Sequence, residues 1–244
     1  MQSILVNLSR VKESGRADYD FYDPNHTNVV DTLVKGYSTE KLGDVCLKVN
    51  TGKTAPRNSY PEMGVRILKV KNTTGNGIKW HEKLYVSEEF YEKAEKKARV
   101  QIGDILMLCA ARNKSSIGRA DIIDTFPEEI VEDGSRCCCV GELIIIRADP
   151  EKILPEYLIT YLRLPVVQEQ IRRMVKGQSA HLYPKDLVHL DVVLPPVNLQ
   201  KEIAKIGSDA ERDYAQTIRQ AHAALAGARA KIEETILKGK RAKK

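Results

Sequence analysis

The chain has 244 residues, of which 42% are hydrophobic and 30% charged, a balance typical of a globular protein. No apolar run approaches the roughly 18–20 residues that a membrane span needs, and the N-terminus does not resemble a signal peptide, so a cytoplasmic protein is predicted. Of the formal net charge of +6, residues 238–244 carry +5, which leaves 6 − 5 = +1 for the rest. Nucleic-acid binding must therefore be argued from local patches rather than from overall charge.

The cysteines are Cys46, Cys109 and the run Cys137–Cys139. An odd number in a chain without a signal peptide favours a reducing compartment over disulfides. Three adjacent thiols could suggest a metal site, but the chain has no Cys-x-x-Cys pair, and neighbours on a strand face opposite sides. We therefore expect small buried strand residues, with no metal and no cofactor.

Short apolar segments alternate with polar loops along the first 200 residues. Ser87 can cap a helix that has acidic residues in its first turn. Several short strands and helices between long loops predict an α+β domain. The predicted strands are Lys41–Val49, Val65–Val70, Gly103–Ala110, Cys137–Ile146 and Leu190–Leu194, and the predicted helices are Thr27–Lys35, Ser87–Lys97, Pro155–Leu164 and Val166–Val175, the last two separated by Pro165.

A long C-terminal helix of the coiled-coil type follows Pro195-Pro196, with Asn198 as its cap. One apolar stripe recurs about every 3.7 residues, the period of a straight helix, and about 38 residues would span roughly 57 Å. Such a helix cannot bury its stripe against the preceding domain, so a second copy is expected to pair with it in a homodimer. The alternative is a helix broken at Gly207 or Gly227 that folds back. The stripe comprises Ile203, Ile206, Ala210, Tyr214, Ile218, Ala221, Leu225, Ala228, Ile232 and Ile236.

Three polar loops carry side chains suited to nucleic acid. Arginine and lysine bind guanine edges or phosphates, asparagine and glutamine fit adenine, and hydroxyl groups hold phosphates. A single loop of this kind is usually only solvated, but three in one domain favour binding. The candidate residues are Lys53, Thr54, Arg57, Asn58 and Tyr60 in the first loop, Arg112, Asn113, Lys114, Ser115, Ser116 and Arg119 in the second, and Gln178, Ser179, His181, Tyr183 and Lys185 in the third.

Several segments partly match known catalytic motifs, but each lacks a residue that the chemistry requires. Gly52-Lys53-Thr54 ends like a phosphate-binding loop, but Leu47 stands where its first glycine belongs. Leu194-Pro195-Pro196-Val197 lacks the polar and aromatic ends that an amino-methyltransferase needs around its double proline. The five histidines show no metal-ligand spacing. The sequence therefore predicts no catalysis.

The ordered set of motifs resembles a target-recognition domain of the specificity subunits of type I restriction-modification systems. No single motif is specific, but together they cover about residues 40–238. They are Leu42-Gly-Asp-Val45, Gly52-Lys-Thr-x-Pro56, Val65-Arg-Ile-Leu-Lys-Val70, Gly103-Asp-Ile-Leu-Met107, Ile117-Gly118 and Val193-Leu-Pro-Pro-Val-x-x-Gln-x-x-Ile203, preceded by Arg16-x-Asp-x-x-Phe-Tyr-x-Pro24.

The resemblance implies a DNA-reading subunit without catalysis of its own. Such subunits carry two recognition domains that each read half of a bipartite target, and paired long helices that set the gap and bind methyltransferase subunits and, through them, a restriction subunit. This chain has one domain and one helix, which implies a half-subunit that dimerises over palindromic half-sites. The expected divisions are an N-terminal segment (1–38), the recognition domain (39–197), the spacer helix (198–238) and a basic tail (239–244).

Two other functions stay open at this point. The first is a protein-interaction scaffold that uses the long helix alone, in which case the loops would not bind DNA. The second is a nuclease or methyltransferase with an unrecognised site, which would show activity with a metal or S-adenosylmethionine.

Overall fold

The computed structural model describes residues 5, 7–14, 36–57, 59–177 and 180–241. The chain divides into two compact units, Met1–Ala204 and Lys205–Lys244. The helix predicted at Thr27–Lys35 and the segment Arg16–Pro24 lie outside the described residues.

The first unit is built from short elements, and one long helix runs from it into the second. The strands are β1 (Ser38–Lys41), β2 (Cys46–Thr51), β3 (Val65–Leu68), β4 (Tyr85–Val86), β5 (Ile105–Leu108), β6 (Ala120–Ile122), β7 (Cys137–Cys139), β8 (Leu143–Ala148) and β9 (Asp191–Leu194). The α-helices are α1 (Leu8–Ser14), α2 (Glu88–Lys93), α3 (Glu95–Ala98), α4 (Glu128–Glu132), α5 (Pro155–Leu162), α6 (Pro165–Met174), α7 (Pro184–Leu187) and α8 (Val197–Arg241). Strands followed by a long C-terminal helix confirm the predicted α+β class.

The strands of the first unit form two sheets and a two-stranded ribbon. The larger sheet is antiparallel throughout and has the order β2-β8-β5-β6. The smaller has the order β4-β3-β7, in which β3 and β7 run parallel. The ribbon pairs β1 with β9. The central strands β5 and β8 therefore have a neighbour on each side.

Both faces of β5 and β8 are covered by apolar side chains. Ile105 and Met107 pack into a cluster with α5 and α6, whereas Leu106 and Leu108 pack with residues of the smaller sheet. The residues of β8 alternate in the same way. Since successive strand residues point to opposite faces, two-sided burial requires an uninterrupted apolar run, which explains the sequence of β5.

The prediction of a single strand at Lys41–Val49 is wrong, because the chain turns between β1 and β2. The backbone amide of Leu42 donates to the carbonyl of Leu190, and that of Gly43 donates to Val188. A Cβ at Gly43 would lie 3.0 Å from the Cβ of Val188, so this close turn favours glycine. The turn takes the chain from the ribbon into the larger sheet.

The strand predicted at Cys137–Ile146 is also two strands, in different sheets. β7 pairs with β3, and β8 pairs with β2 and β5, with the turn Val140–Glu142 between them. The run Cys137–Cys139 is fully buried, which confirms the prediction of small strand residues.

The helices predicted at Pro155–Leu164 and Val166–Val175 are present with changed ends, whereas the single helix predicted at Ser87–Lys97 is two short helices, α2 and α3, divided at Ala94. Ser87 caps α2, since its hydroxyl accepts from the amide of Phe90 at 3.1 Å. Pro165 lies in the first turn of α6 rather than between two helices.

The long helix α8 is continuous through Gly207 and Gly227, so the break expected for a folded-back helix is absent from it. About 37 residues of α8 belong to the second unit, a length of roughly 55 Å. Ile203 packs partly against the core of the first unit. The larger side chains beyond it are exposed: Ile206 (63%), Tyr214 (51%), Ile218 (39%), Leu225 (50%), Ile232 (59%) and Ile236 (57%).

A buried carboxylate holds the glycine-rich turn after β3. Asp121, fully buried on β6, accepts from the amides of Thr74 (2.6 Å), Gly75 (2.8 Å) and Gly77 (2.7 Å). Arg163, the residue that follows α5, donates to the same carboxylate at 2.9 Å. One side chain therefore satisfies three amides and fastens the turn to the sheet and to α5.

We expect Asp121→Ala to lower the free energy of unfolding by about 3 kcal/mol, because it leaves three backbone amides without an acceptor and removes the ion pair with the partly buried Arg163. Urea unfolding measures the loss. Asp124→Ala, at an exposed position close by, is the matched control and should change stability by less than about 0.5 kcal/mol. Equal effects of the two substitutions would contradict this role.

The thiols should be unreactive in the folded protein. Burial raises the pKa of Cys46, Cys109 and Cys138 to about 12 and raises those of Cys137 and Cys139 well above the usual value. Since the thiolate is the reactive form, a disulfide reagent at pH 8 should label the native chain slowly and all five thiols rapidly in denaturant. Rapid native labelling of the run Cys137–Cys139 would contradict this packing.

Candidate nucleic-acid interface

The connections at one end of the larger sheet carry the predicted loops. At this end β2 finishes at Thr51 and β5 at Leu108, while β6 begins at Ala120 and β8 at Leu143. Since neighbouring strands are antiparallel, the segment after β2, the β5–β6 connection and the turn before β8 all emerge here. The first loop, the second loop and the turn Val140–Glu142 are therefore neighbours.

The first loop is fastened to that turn. The hydroxyl of Thr54 accepts from the amide of Gly141 at 2.9 Å and donates to Oε2 of Glu142 at 2.8 Å. The chain passes so closely that a Cβ at Gly52 would lie 2.1 Å from the carbonyl oxygen of Cys139, which only glycine avoids.

The second and third loops are joined by backbone contacts. The amide of Cys109 donates to the carbonyl of Glu142, and the amide of Leu182 donates to the carbonyl of Cys109, both at 2.9 Å. Ala110 and His181 form an antiparallel bridge. A continuous path of hydrogen bonds therefore runs from the first loop through the turn to the second and third, and all three lie at one end of the sheet.

Some residues of the first loop that were predicted to bind nucleic acid instead form hydrogen bonds that hold the loop in place. The ammonium group of Lys53 donates to the carbonyl of Lys93 at 3.0 Å. The hydroxyl of Tyr60 donates to the carbonyl of Ala55, and the ammonium of Lys69 lies 3.9 Å from the centre of its ring. These side chains, like Thr54, hold the loop, whereas the exposed Arg57 has no hydrogen-bond or ion-pair partner among the described residues. Asn58 lies outside the described residues.

The second loop contains a short 3-10 helix, Lys114–Ser116, which Asn113 caps by accepting from the amide of Ser115 at 3.1 Å. Ser116 is half-buried. The aliphatic part of Arg119 lies against Gly75, so this residue belongs to the packing of the glycine-rich turn. Arg112 and Lys114 are exposed.

The third loop presents an aromatic stack. The rings of His181 and Tyr183 lie 5.8 Å apart at 25°, and the ammonium of Lys185 lies 5.7 Å from the centre of the Tyr183 ring. Tyr183 is 43% exposed. Gln178 and Ser179 lie outside the described residues.

Sequence reasoning missed Glu142. Burial and then the charge of Glu142 raise the pKa of Tyr60, and the same two causes raise the pKa of Cys109 to about 12, so its carboxylate lies close to two of the loops. A glycine and a glutamate interrupting the apolar run after Cys139 were the available signal, hidden by the prediction of one long strand.

Within the described ranges, no cluster of three or more histidine, cysteine, aspartate or glutamate residues could hold a metal ion. No helix in the same ranges has both the length and the hydropathy that a membrane span requires.

Comparison with known proteins finds a relative among the specificity subunits of type I restriction enzymes. A putative type I restriction enzyme specificity subunit, MjaX, from Methanocaldococcus jannaschii is 27% identical over 180 residues, which are 72% of this chain and 40% of that protein.

Two solved structures share the fold at 18% identity. One, from work on complex assembly and conformational transition of a type I restriction-modification system, has a TM-score of 0.55 and is matched over 87% of this chain and 50% of that chain. The other, the HsdS subunit from Thermoanaerobacter tengcongensis, has a TM-score of 0.52 and is matched over 88% and 50%. The chain thus spans about half the length of these relatives.

The model of the family described as "Type I restriction modification DNA specificity domain" matches residues 35–221. This match covers well over half of the sequence and agrees with the resemblance read from its motifs. The chain belongs to the type I restriction-modification DNA specificity domain family.

Proposed function

We propose that this chain is a sequence-specific DNA-recognition subunit of a type I restriction-modification system and reads one half of a bipartite target. The observation that carries the proposal is the meeting of three polar loops at one end of the larger sheet. The chain has no catalysis of its own in this proposal, and double-stranded DNA is its ligand.

Within the loops, some side chains are exposed to solvent and others hold the backbone in place. This arrangement supports sequence-specific recognition of DNA rather than general electrostatic attraction. Arg57, Arg112 and Lys114 are exposed, so they are free to reach phosphates or guanine edges. Side chains such as Thr54 and Asn113 fix the loop backbones. Hydrogen bonds that hold the loop backbones before binding reduce the conformational entropy lost when DNA arrives, which favours affinity and a defined register.

The remaining parts of the proposal concern organisation and partners. Residues 39–197 form the recognition domain, and residues 198–238 form a spacer helix that pairs with a second copy and docks methyltransferase subunits in the cytoplasm. A restriction subunit joins through the methyltransferase. The names of the relatives and the exposed apolar stripe of α8 support this organisation.

Arg57→Ala and Arg112→Ala should each weaken binding to target DNA by about 1–3 kcal/mol, or change the sequence preference at one position. Binding by the unmutated chain, assembled with its methyltransferase subunits, should fall steeply as salt is raised. Fluorescence anisotropy with labelled duplexes over a salt series measures both effects.

Arg229→Ala is the matched control for these loop variants. It removes an exposed arginine from α8, where alanine also favours a helix, and it should leave DNA affinity unchanged. If the loop variants behave like this control, the loops do not bind DNA, and a scaffold that uses α8 alone becomes the better account.

The α8 pairing predicts that the chain is a dimer and that Leu225→Glu weakens it. Burying a leucine of this size is worth about 1.5–3 kcal/mol, so a charge at this position should raise the dimer dissociation constant at least tenfold. Sedimentation over a concentration series measures it, with Gln220→Glu, exposed on the same helix, as control. A chain that stays monomeric at all concentrations, or a dimer indifferent to Leu225→Glu, would contradict the pairing.

A further inference from the structure

A carboxylate lies at the meeting point of the three loops. Glu142 occupies the turn before β8, where its backbone carbonyl accepts from Cys109 at the start of the second loop. Its side chain accepts from Thr54 of the first loop in a solvent-exposed contact. An acidic group therefore stands among loops whose exposed charged side chains include Arg57 and Arg112.

The charge of Glu142 is not neutralised. Among the described residues, no lysine or arginine forms an ion pair with it. Lys53, which neighbours Thr54 in the chain, donates instead to the carbonyl of Lys93. A bare carboxylate on a phosphate-binding surface repels DNA, so its presence weakens binding to any sequence that offers it no hydrogen-bond donor.

One hydrogen bond restrains the orientation of this carboxylate. The Thr54 hydroxyl accepts from the amide of Gly141 and donates its proton to Oε2 of Glu142, since a carboxylate oxygen can only accept, and Oε1 has no hydrogen bond from a described residue. The result is a preorganised acceptor whose position depends on the backbone of both neighbouring segments.

Base edges in the major groove differ in what they offer such an acceptor. Guanine presents two acceptors, which repel a carboxylate, whereas adenine presents an amino donor with an N7 acceptor beside it that opposes the approach of a carboxylate. Thymine offers an acceptor and a methyl group. Cytosine offers its N4 amino donor without an adjacent acceptor on the same base, and it is the base that glutamate is known to suit.

We propose that Glu142 is a specificity-determining residue, whose Oε1 accepts a hydrogen bond from the N4 amino group of a cytosine in the major groove. The inference rests on the proposed function and deepens it by assigning one base to one residue. Thr54 is the positioning residue that aims this carboxylate.

The test uses the full chain with its methyltransferase partner in cells, and the readout is the set of methylated sites across the genome. With Glu142→Gln, one cytosine position of the motif should become degenerate, with discrimination there reduced roughly 5- to 100-fold. Affinity for unrelated DNA should rise because a repulsive charge is gone. Glu142→Asp, which keeps the charge but shortens the reach, should lose the cytosine preference without that rise.

Glu151→Gln is the matched control. Glu151 is exposed just after β8, whereas Glu142 lies just before it, and the strand separates them by roughly 20 Å. The same change in charge there should leave the motif intact.

The outcomes separate this inference from the proposed function. If the unmutated chain directs methylation to no defined motif, the proposed function itself fails. If a motif exists and Glu142→Gln leaves it unchanged, or relaxes a position that is not cytosine, the assignment of Glu142 is overturned. A variant that loses all methylation together with a lowered melting temperature would show a structural carboxylate and would overturn it as well.

Discussion

Burial of both faces of the two central strands is the constraint on which the rest of the first unit depends. β5 and β8 carry apolar side chains on each face, one against the helices and one against the smaller sheet. Apart from Arg147 of β8, which pairs with the buried Asp104, these two strands carry no polar side chains. Most polar groups therefore collect at the strand ends, where the chain has to turn and its backbone meets water. One of these ends gathers all three polar loops. The core therefore decides where the three polar loops lie.

The loops are held beside one another mainly by backbone hydrogen bonds, which depend little on the identity of their side chains. The path from Thr54 through Glu142 and Cys109 to Leu182 is made largely by amides and carbonyls. Exposed side chains on such a frame can change without disturbing it. Substitutions at exposed positions such as Arg57 or Arg112 would therefore alter the surface and leave the core unaffected.

The fold class and the long helix could be predicted from sequence, because periodicity and capping are local properties. Ser87 and the stripe of α8 are examples. The turns within Lys41–Val49 and Cys137–Ile146 could not, because close approach to distant segments, such as Val188 to Gly43, creates them. For the same reason residue type alone did not separate the exposed side chains proposed to bind DNA from the side chains that hold the loops. Lys53 and Arg57 looked equivalent, yet only the first has a carbonyl partner across 40 residues. Glu142 could not be recognised for the same reason, because the single strand predicted at Cys137–Ile146 concealed the turn that carries it.

Hydrogen exchange of the assembled complex, with and without its target duplex, tests the central claim most directly. The account predicts that DNA protects amides in residues 52–60, 109–119, 140–142 and 180–185, at one end of the larger sheet. The opposite end of that sheet, which includes residues 101–104 and 149–153, should exchange as before. Protection confined to the opposite end, or to α8 alone, would contradict the placement of the DNA interface.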